Sequence, residues 1–344
     1  MAIEIIATGR AVPPRRVTND DLAAQLDTSD EWIRSHTGIG ARHIADDSVA
    51  ASDLATEAAT QALALLAQRD PALGGSVQAA AETLDLIVVA TASADFLGFP
   101  ATACLVQDRI GAKKAGAMDV AAGCTGFVYA LDAAAGVLTM GKNRKRALVI
   151  GAEILTRITD WSDRSSCVLF GDGAGAAIIE KTDAPSEGPG KRGLLRSILG
   201  AEGSGAEALI NRRGGTRNPY KKGEVVENPP HIEMNGRAVY NFAVRAVTDT
   251  IERLLKEEGI GMEDLARIVP HQANARIVQA AAKRLGIPEE KFYLNIEEYA
   301  NTSAASIPLA LDELARAGKL ERGDLIMTVG FGAGLTYAGN LIVW

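Results

Sequence analysis

Cys124 stands in Gly-Cys-Thr-Gly, between a short apolar run (Ala117–Ala121) and a long alanine-rich helical pattern that ends near Gly141. At such a strand-to-helix junction, Gly123 and Gly126 permit a sharp turn and let a substrate approach the backbone closely, the logic of a nucleophile elbow. A helix beginning here aims unpaired N–H groups and its positive dipole end at the sulfur, which favours the thiolate. The other common fate of a free cysteine is that of a small buried hydrophobe. Nucleophilic acyl chemistry also needs a base or charge partner and donors for an oxyanion. Of the four histidines, His36 and His43 fall in an early polar loop and His231 follows Pro-Pro, whereas His271 sits just past the apolar run Ile268–Pro270. A strand-end histidine can be a general base or a hydrogen-bonded loop residue. Asn301, in Tyr-Ala-Asn-Thr-Ser, opens a predicted helix and would serve equally as its N-cap.

Apolar β-rich runs alternate with alanine-rich helical runs throughout, the α/β signature. Leu84–Ala90, Arg146–Gly151 and Leu325–Val329 read as strands buried on both faces. Thr28-Ser-Asp-Glu31 predicts a capping box ahead of Trp32, Ser52 predicts a cap for the helix running to about Gln68, and Gly286 before Pro288 predicts a helix end. The two halves echo each other. Leu86–Ser93 resembles Arg267–Asn274, and in each half a helix start and another buried strand follow, at Cys124 and Leu148 and at Asn301 and Leu325. A duplicated α/β unit is the simplest account, with an N-terminal half at 1–181 carrying the cysteine and a C-terminal half at 182–344 carrying the histidine and asparagine. Thr182–Lys191 would link them, and Asn211–Pro230 reads as a long surface loop. On that arrangement Cys124, His271 and Asn301 can converge on one pocket.

The 344 residues, 47% of them hydrophobic, suffice for a large core, and a formal charge of −7 argues against wholesale nucleic-acid binding. Cys104, Cys124 and Cys167 form neither a disulfide framework nor a CxxC metal spacing, so a reducing cytoplasm is expected. No uninterrupted apolar stretch approaches the eighteen residues of a membrane span, and the N-terminus lacks the basic n-region of a signal peptide.

AAGCTGF, VPHQANARI and NTSAAS, in this order and spacing, resemble the β-ketoacyl-acyl-carrier-protein synthase III family of thiolase-like condensing enzymes. TSDEWIRSHTGI, FPATACLVQ, DRSSCVLFGDGAGA, MNGRAVYNFAV and GFGAG extend the likeness over nearly the whole chain. The resemblance implies a five-layered αβαβα fold, a homodimer, and a triad of Cys124, His271 and Asn301. It implies acylation of Cys124 by an acyl-CoA substrate, then decarboxylative condensation with malonyl-acyl-carrier-protein, with no cofactor or metal, no nucleic acid and no membrane. Backbone N–H groups of Cys124 and Ala333 would form the oxyanion hole, although the family usually has glycine at the latter. His271 Nε2 and the Asn301 amide would both donate to the malonyl thioester oxygen. Trp32 and Arg164 would sandwich the CoA adenine, and Asn274 would meet the pantetheine arm. Phe99 would bound the acyl pocket of the partner subunit, and Arg276, Lys283 and Arg284 would dock the acidic carrier. His36 and Gly40 stand where the family commonly has arginine, and Asn241 where it often has lysine.

Gly171–Ala176 fits a dinucleotide-binding pattern, but a strand-like segment follows it rather than a helix, so no cofactor site is expected there. Two other readings stay open: a condensing enzyme of secondary metabolism with a longer or aryl starter, and a Cys-His-Asn hydrolase that would release free acid.

Overall fold

The computed structural model describes residues 1–188, 190–224 and 231–344. Pro189 of the expected linker and 225–230 of the expected loop therefore lie outside the described residues. The first sheet holds β1 (Ala2–Ala11), β2 (Leu86–Ala90), β3 (Gly116–Val120), β4 (Arg146–Ile154) and β5 (Asp172–Thr182), in the order β1-β5-β4-β2-β3. β2 runs parallel to β3 and β4, while β5 is antiparallel to β4 and β1. The second sheet holds β6 (Gly193–Ala201), β7 (Arg267–Pro270), β8 (Leu325–Gly332) and β9 (Thr336–Val343), in the order β7-β8-β9-β6. Only β7 and β8 pair in parallel there.

Helices Gly126–Met140 and Ser306–Arg316 lie between the sheets and touch both. Helix Ala51–Arg69 covers the outer face of the first sheet, and helix Gly236–Glu258, with Ala275–Leu285 against it, covers the second. This is the αβαβα stack expected from the resemblance. Helix Gly126–Met140 is apolar nearly all round because it has two sheets to satisfy. Phe127, Leu131 and Leu138 on it are at most 1% exposed, each worth about 1.5–3 kcal/mol of burial. The segment Gly123–Met140 is long and apolar enough to cross a membrane by composition alone, yet these side chains pack within the core between the sheets.

The glycines of Gly171–Ala176 have a packing purpose. The segment runs into β5, and a Cβ on Gly175 would lie 2.6 Å from the backbone nitrogen of Leu309 on the inner helix. Two caps differ from the sequence reading. Ser29 rather than Thr28 caps the helix at Asp30, its side chain accepting from the Trp32 N–H. Helix Ala51–Arg69 starts after Ala50, and Ser52 inside it instead donates its hydroxyl to Asp95 at 2.5 Å. Gly286 does end its helix, in the left-handed conformation.

Candidate active site

Cys124 lies in a single 3-10 turn, Gly123–Thr125, between β3 and the inner helix. Gly123 takes φ +51°, which L residues rarely adopt. The facing backbone is the end of β8 and the turn after it. A Cβ on Gly332 would sit 2.7 Å from the Cβ and 3.0 Å from the Sγ of Cys124, so glycine is the residue that lets this strand pass the nucleophile. The Thr336 hydroxyl bridges the two turns, 2.6 Å from Thr125 Oγ1 and 2.9 Å from the Ala333 carbonyl. Ala333 is not among the non-glycine residues with positive φ, so its Cβ costs no backbone strain.

His271 follows β7, its backbone N–H bonded to the Val329 carbonyl at 2.8 Å. The ring is 1% exposed and packs edge-on to Phe331 with centroids 5.1 Å apart. Its Nδ1 lies 2.7 Å from Ser306 Oγ. Burial pushes the imidazole down to about 3, so it is neutral at physiological pH. Asn301 does not cap the long helix directly. Its Oδ1 accepts from the Ser303 N–H at 2.9 Å, a 3-10 turn follows, and the inner helix starts at Ser306. With Oδ1 so held, the Nδ2 donors are left for the cavity. Asn301 is bracketed by Ala300 (φ 55°) and Ser303 (φ 46°), two non-glycine residues in a costly left-handed region.

Cys124, His271 and Asn301 line one cavity of about 240 Å³, with Trp32 and Asn274 also on its wall. Cys124 also lines a second cavity of about 110 Å³, bounded by Leu155, Ile158, Phe170, Leu209, Ile210 and Ile232. Leu209–Asn211 pairs with Ile232–Met234, so the roots of the long 211–230 loop form this wall, and the sequence reading missed them. Short apolar runs on either side of the polar loop, Leu209-Ile210 and Ile232 with Met234, were the available signal. A larger polar cavity of about 670 Å³ lies elsewhere, along Arg15, Arg16, Asp21 and Arg157, and none of the triad lines it.

The ionisation expected of Cys124 is reversed. Some surface of the residue stays accessible, but protein encloses it closely enough that burial pushes the thiol up to about 11. A hydrogen bond from Ser303 and one from the Ala333 backbone oppose this, and the charge of Glu153 adds to it. Glu153, fully buried, accepts from Ser93 Oγ (2.5 Å), Ala92 N (3.0 Å) and Ala304 N (3.4 Å), tying the end of β2 to the turn after Asn301. A lone glutamate in the apolar run of β4 was its sequence signal, and it went unread.

The remaining predicted residues fall in three places. The Arg164 guanidinium covers the Trp32 ring at 5.3 Å, with His36 stacked on the same indole at 4.4 Å, so the two side chains expected to sandwich an adenine contact each other directly. Arg164 also donates to the Asp27 carbonyl at 2.6 Å. Asn274 spends its amide on the Arg276 N–H (2.8 Å) and the His36 carbonyl (3.1 Å). Arg276, Lys283 and Arg284 are all exposed on helix Ala275–Leu285. Arg276 donates to the Ser35 carbonyl at 2.9 Å, and Arg284 pairs with Asp249 at 3.4 Å. Phe99 is 87% exposed and lines neither cavity.

A five-layered fold with a cysteine, a neutral histidine and an asparagine on one cavity defines a thiolase-like acyltransferase. The sequence profile described as 3-oxoacyl-[acyl-carrier-protein] synthase III matches residues 118–203, and that of its C-terminal part matches 255–344. A β-ketoacyl-[acyl-carrier-protein] synthase III from Caldanaerobacter subterraneus subsp. tengcongensis is 44% identical, covering 100% of this chain and 98% of the relative. Solved structures of 3-oxoacyl-[acyl-carrier-protein] synthase III from Aquifex aeolicus VF5 (41% identity, TM-score 0.86, 100% of both chains) and Thermus thermophilus (43%, 0.86, 99% of both) share the fold. The chain belongs to the β-ketoacyl-acyl-carrier-protein synthase III family, the condensing acyltransferases that initiate fatty acid synthesis.

Proposed function

We propose that the chain transfers an acyl group from CoA to Cys124 and condenses it with malonyl-acyl-carrier-protein, releasing CO₂ and a β-ketoacyl-carrier product. The observation that carries this reading is the meeting of two cavities at Cys124, one lined by His271 and Asn301 and one walled by aliphatic side chains. The first suits the thioesters and the second the starter chain. Thioester exchange onto Cys124 is nearly isoenergetic, and the backbone N–H groups of Cys124 and Ala333 are the candidate oxyanion donors. In the second half-reaction malonyl loses CO₂, the enolate attacks the acyl-Cys carbonyl, and the Cys124 sulfur leaves and takes up a proton. Asn301 Nδ2 would hold the developing enolate oxygen.

Trp32 and Asn274, on the wall of the cavity that His271 and Asn301 line, and Arg164 against Trp32 would receive CoA, with Arg164 releasing the indole face. Lys283 has no ion pair among the described residues, and with Arg276 and Arg284 it offers the acidic carrier a positive landing face. Exposed Phe96, Leu97 and Phe99 form an apolar loop suited to a second copy of this chain. The three cysteines are free, consistent with a reducing cytoplasm.

The test is mass spectrometry of the protein after incubation with acetyl-CoA and longer acyl-CoAs, followed by malonyl-carrier. One acyl adduct on Cys124, discharged to a β-ketoacyl product, is expected, and free acid in its place would favour a hydrolase. Asn301→Asp should keep acylation while lowering decarboxylation by roughly 10²–10³-fold, the usual cost of a lost oxyanion donor. Equal loss of both steps would overturn that division of labour.

A further inference from the structure

We infer that Asn19 and Arg42 form a buried positioning pair that sets the spacing between the Trp32 helix and the segment carrying Arg164, and with it the grip on the nucleotide end of CoA. The inference rests on the reading of Trp32 and Arg164 as receivers of CoA and adds to it what holds them in register.

Asn19 and Arg42 are both 0% exposed, and neither lines the cavity of the triad. Asn19 reaches both ends of helix Asp30–Thr37, which carries Trp32. Its Nδ2 donates to Asp30 Oδ1 at 2.8 Å, on the first residue of the helix, and to the Ile39 carbonyl at 2.7 Å, just past its end. Its Oδ1 accepts from Arg42 Nη1 at 2.9 Å. A guanidinium only donates and a carboxylate only accepts, so a single orientation of the amide satisfies all these neighbours. Arg42 Nη2 in turn donates to the Val168 carbonyl at 2.8 Å, a short step along the chain from Arg164.

The presence of an arginine here is informative. Arg42 makes no ion pair among the described residues, and its Nε–H meets no acceptor there. Burial pushes the guanidinium down to about 10, so it stays cationic at physiological pH. A buried cation without a carboxylate is costly, and an apolar side chain would fill the space without that penalty. What an apolar side chain lacks is a rigid fork of donors that spans separate acceptors. Here the fork joins Asn19 and the Val17 carbonyl (3.4 Å) on one side to Val168 on the other. The helix and the segment are thus tied through buried hydrogen bonds.

The surface tie between the same parts is weaker. Arg164 meets the Asp27 carbonyl and, at 3.7 Å, its carboxylate, but Arg164 is half exposed and Asp27 wholly so. Exposed pairs of this kind hold little. Toward Asn301 the segment has an anchor of its own. The Leu169 carbonyl accepts from the Asn301 N–H at 2.9 Å, and the Asn301 carbonyl accepts from the Gly171 N–H at 3.1 Å. Loss of Arg42 therefore frees Arg164 from its register with Trp32 while Asn301 keeps its place.

The test compares CoA with pantetheine, which lacks the nucleotide, by titration calorimetry, and acetyl-CoA with acetyl-pantetheine in the acylation assay. Arg42→Met removes the fork. Asn19→Asp is isosteric and keeps the bond to Arg42, but turns a carboxylate oxygen toward Asp30 and the Ile39 carbonyl. Both variants should weaken CoA binding and raise the KM for acetyl-CoA about tenfold, the scale of a lost cation–π clamp, and move the pantetheine values less than about twofold. Equal losses for both compounds would mark the pair as structural and overturn the inference. If Arg42→Met does not fold, Asn19→Asp decides. ¹⁹F NMR of the fluorotryptophan-labelled protein, with three tryptophans to resolve and Trp32→Phe to assign the signal, reads the geometry without CoA. The Trp32 resonance should shift in both variants while that of Trp344 stays, and an unmoved Trp32 would also overturn the inference. A wild type that binds CoA no better than pantetheine would sink the CoA reading alone, and the resonance would still decide the spacing.

Discussion

The thiol of Cys124 and the imidazole of His271 are both neutral at physiological pH, and burial is the leading cause in each case. For stability the two act at opposite ends of the scale. The unfolded chain protonates His271 near its ordinary 6.5 whereas the folded protein refuses the proton until about 3. Its contribution is therefore complete above 6.5 and is lost as pH falls through that window. For Cys124 the folded value of about 11 exceeds the ordinary 9.0, so its contribution is complete below 9.0 and lost as pH rises toward 11. The urea midpoint of the wild type should fall between about pH 7 and pH 5, and His271→Gln should fall less over the same interval. An identical drop in both would assign the acid sensitivity to other groups. The position of Cys124 was legible from its glycines and the strand-to-helix pattern, but its ionisation was not. A local sequence displays the helix start that favours a thiolate, while the enclosing residues, Glu153, Ser303 and Ala333 among them, come from distant segments. Ser306 was hidden for the same reason, since a serine at a helix start reads as a cap until His271 is seen beside it.

Two turns meet back to back at the nucleophile, one before the inner helix and one between β8 and β9, and their separation is set by the missing side chain of Gly332. Gly332→Ala would drive a methyl group to within 3.0 Å of the Cys124 backbone and side chain. It should cost about 1–3 kcal/mol, as overpacking does, and slow acylation at least tenfold. Differential scanning calorimetry with the mass-spectrometric acylation assay checks both, and wild-type rates would show that the two turns can separate freely. At this scale the strands read well from sequence, because runs such as that of β2 must be apolar on both faces when helices cover each side of a sheet. Helix ends read less well. Ser29 and Thr28 are equally good caps by type, and only the backbone decides which one accepts from the Trp32 N–H.

For the whole molecule, two sheets drawn from residues 2–182 and 193–343 share a layer of helices. The likeness of the two segments led to the convergence of Cys124, His271 and Asn301. The wall supplied by the loop roots was marked only by the short apolar runs on either side of the polar loop, too brief to read as strands. Phe96 (52%), Leu97 (76%) and Phe99 (87%) leave an apolar loop exposed. Sedimentation equilibrium should find a dimer at micromolar concentration, and Phe99→Ser should raise its dissociation constant about tenfold or more, as loss of an aromatic anchor does. A monomeric wild type would remove the second subunit from the acyl pocket.

The inner helix Gly126–Met140 carries a cost that appears before the protein is complete. One of its faces is covered by β2 and β4, but the other waits for β8 and β9, whose last residue is Val343. A ribosome adding 5–20 residues per second leaves that face uncovered for roughly 10–40 s. During that time the nascent chain displays a segment as greasy as a membrane anchor. Its yield in the cell should therefore depend on holdase chaperones and translation speed more steeply than its final stability suggests.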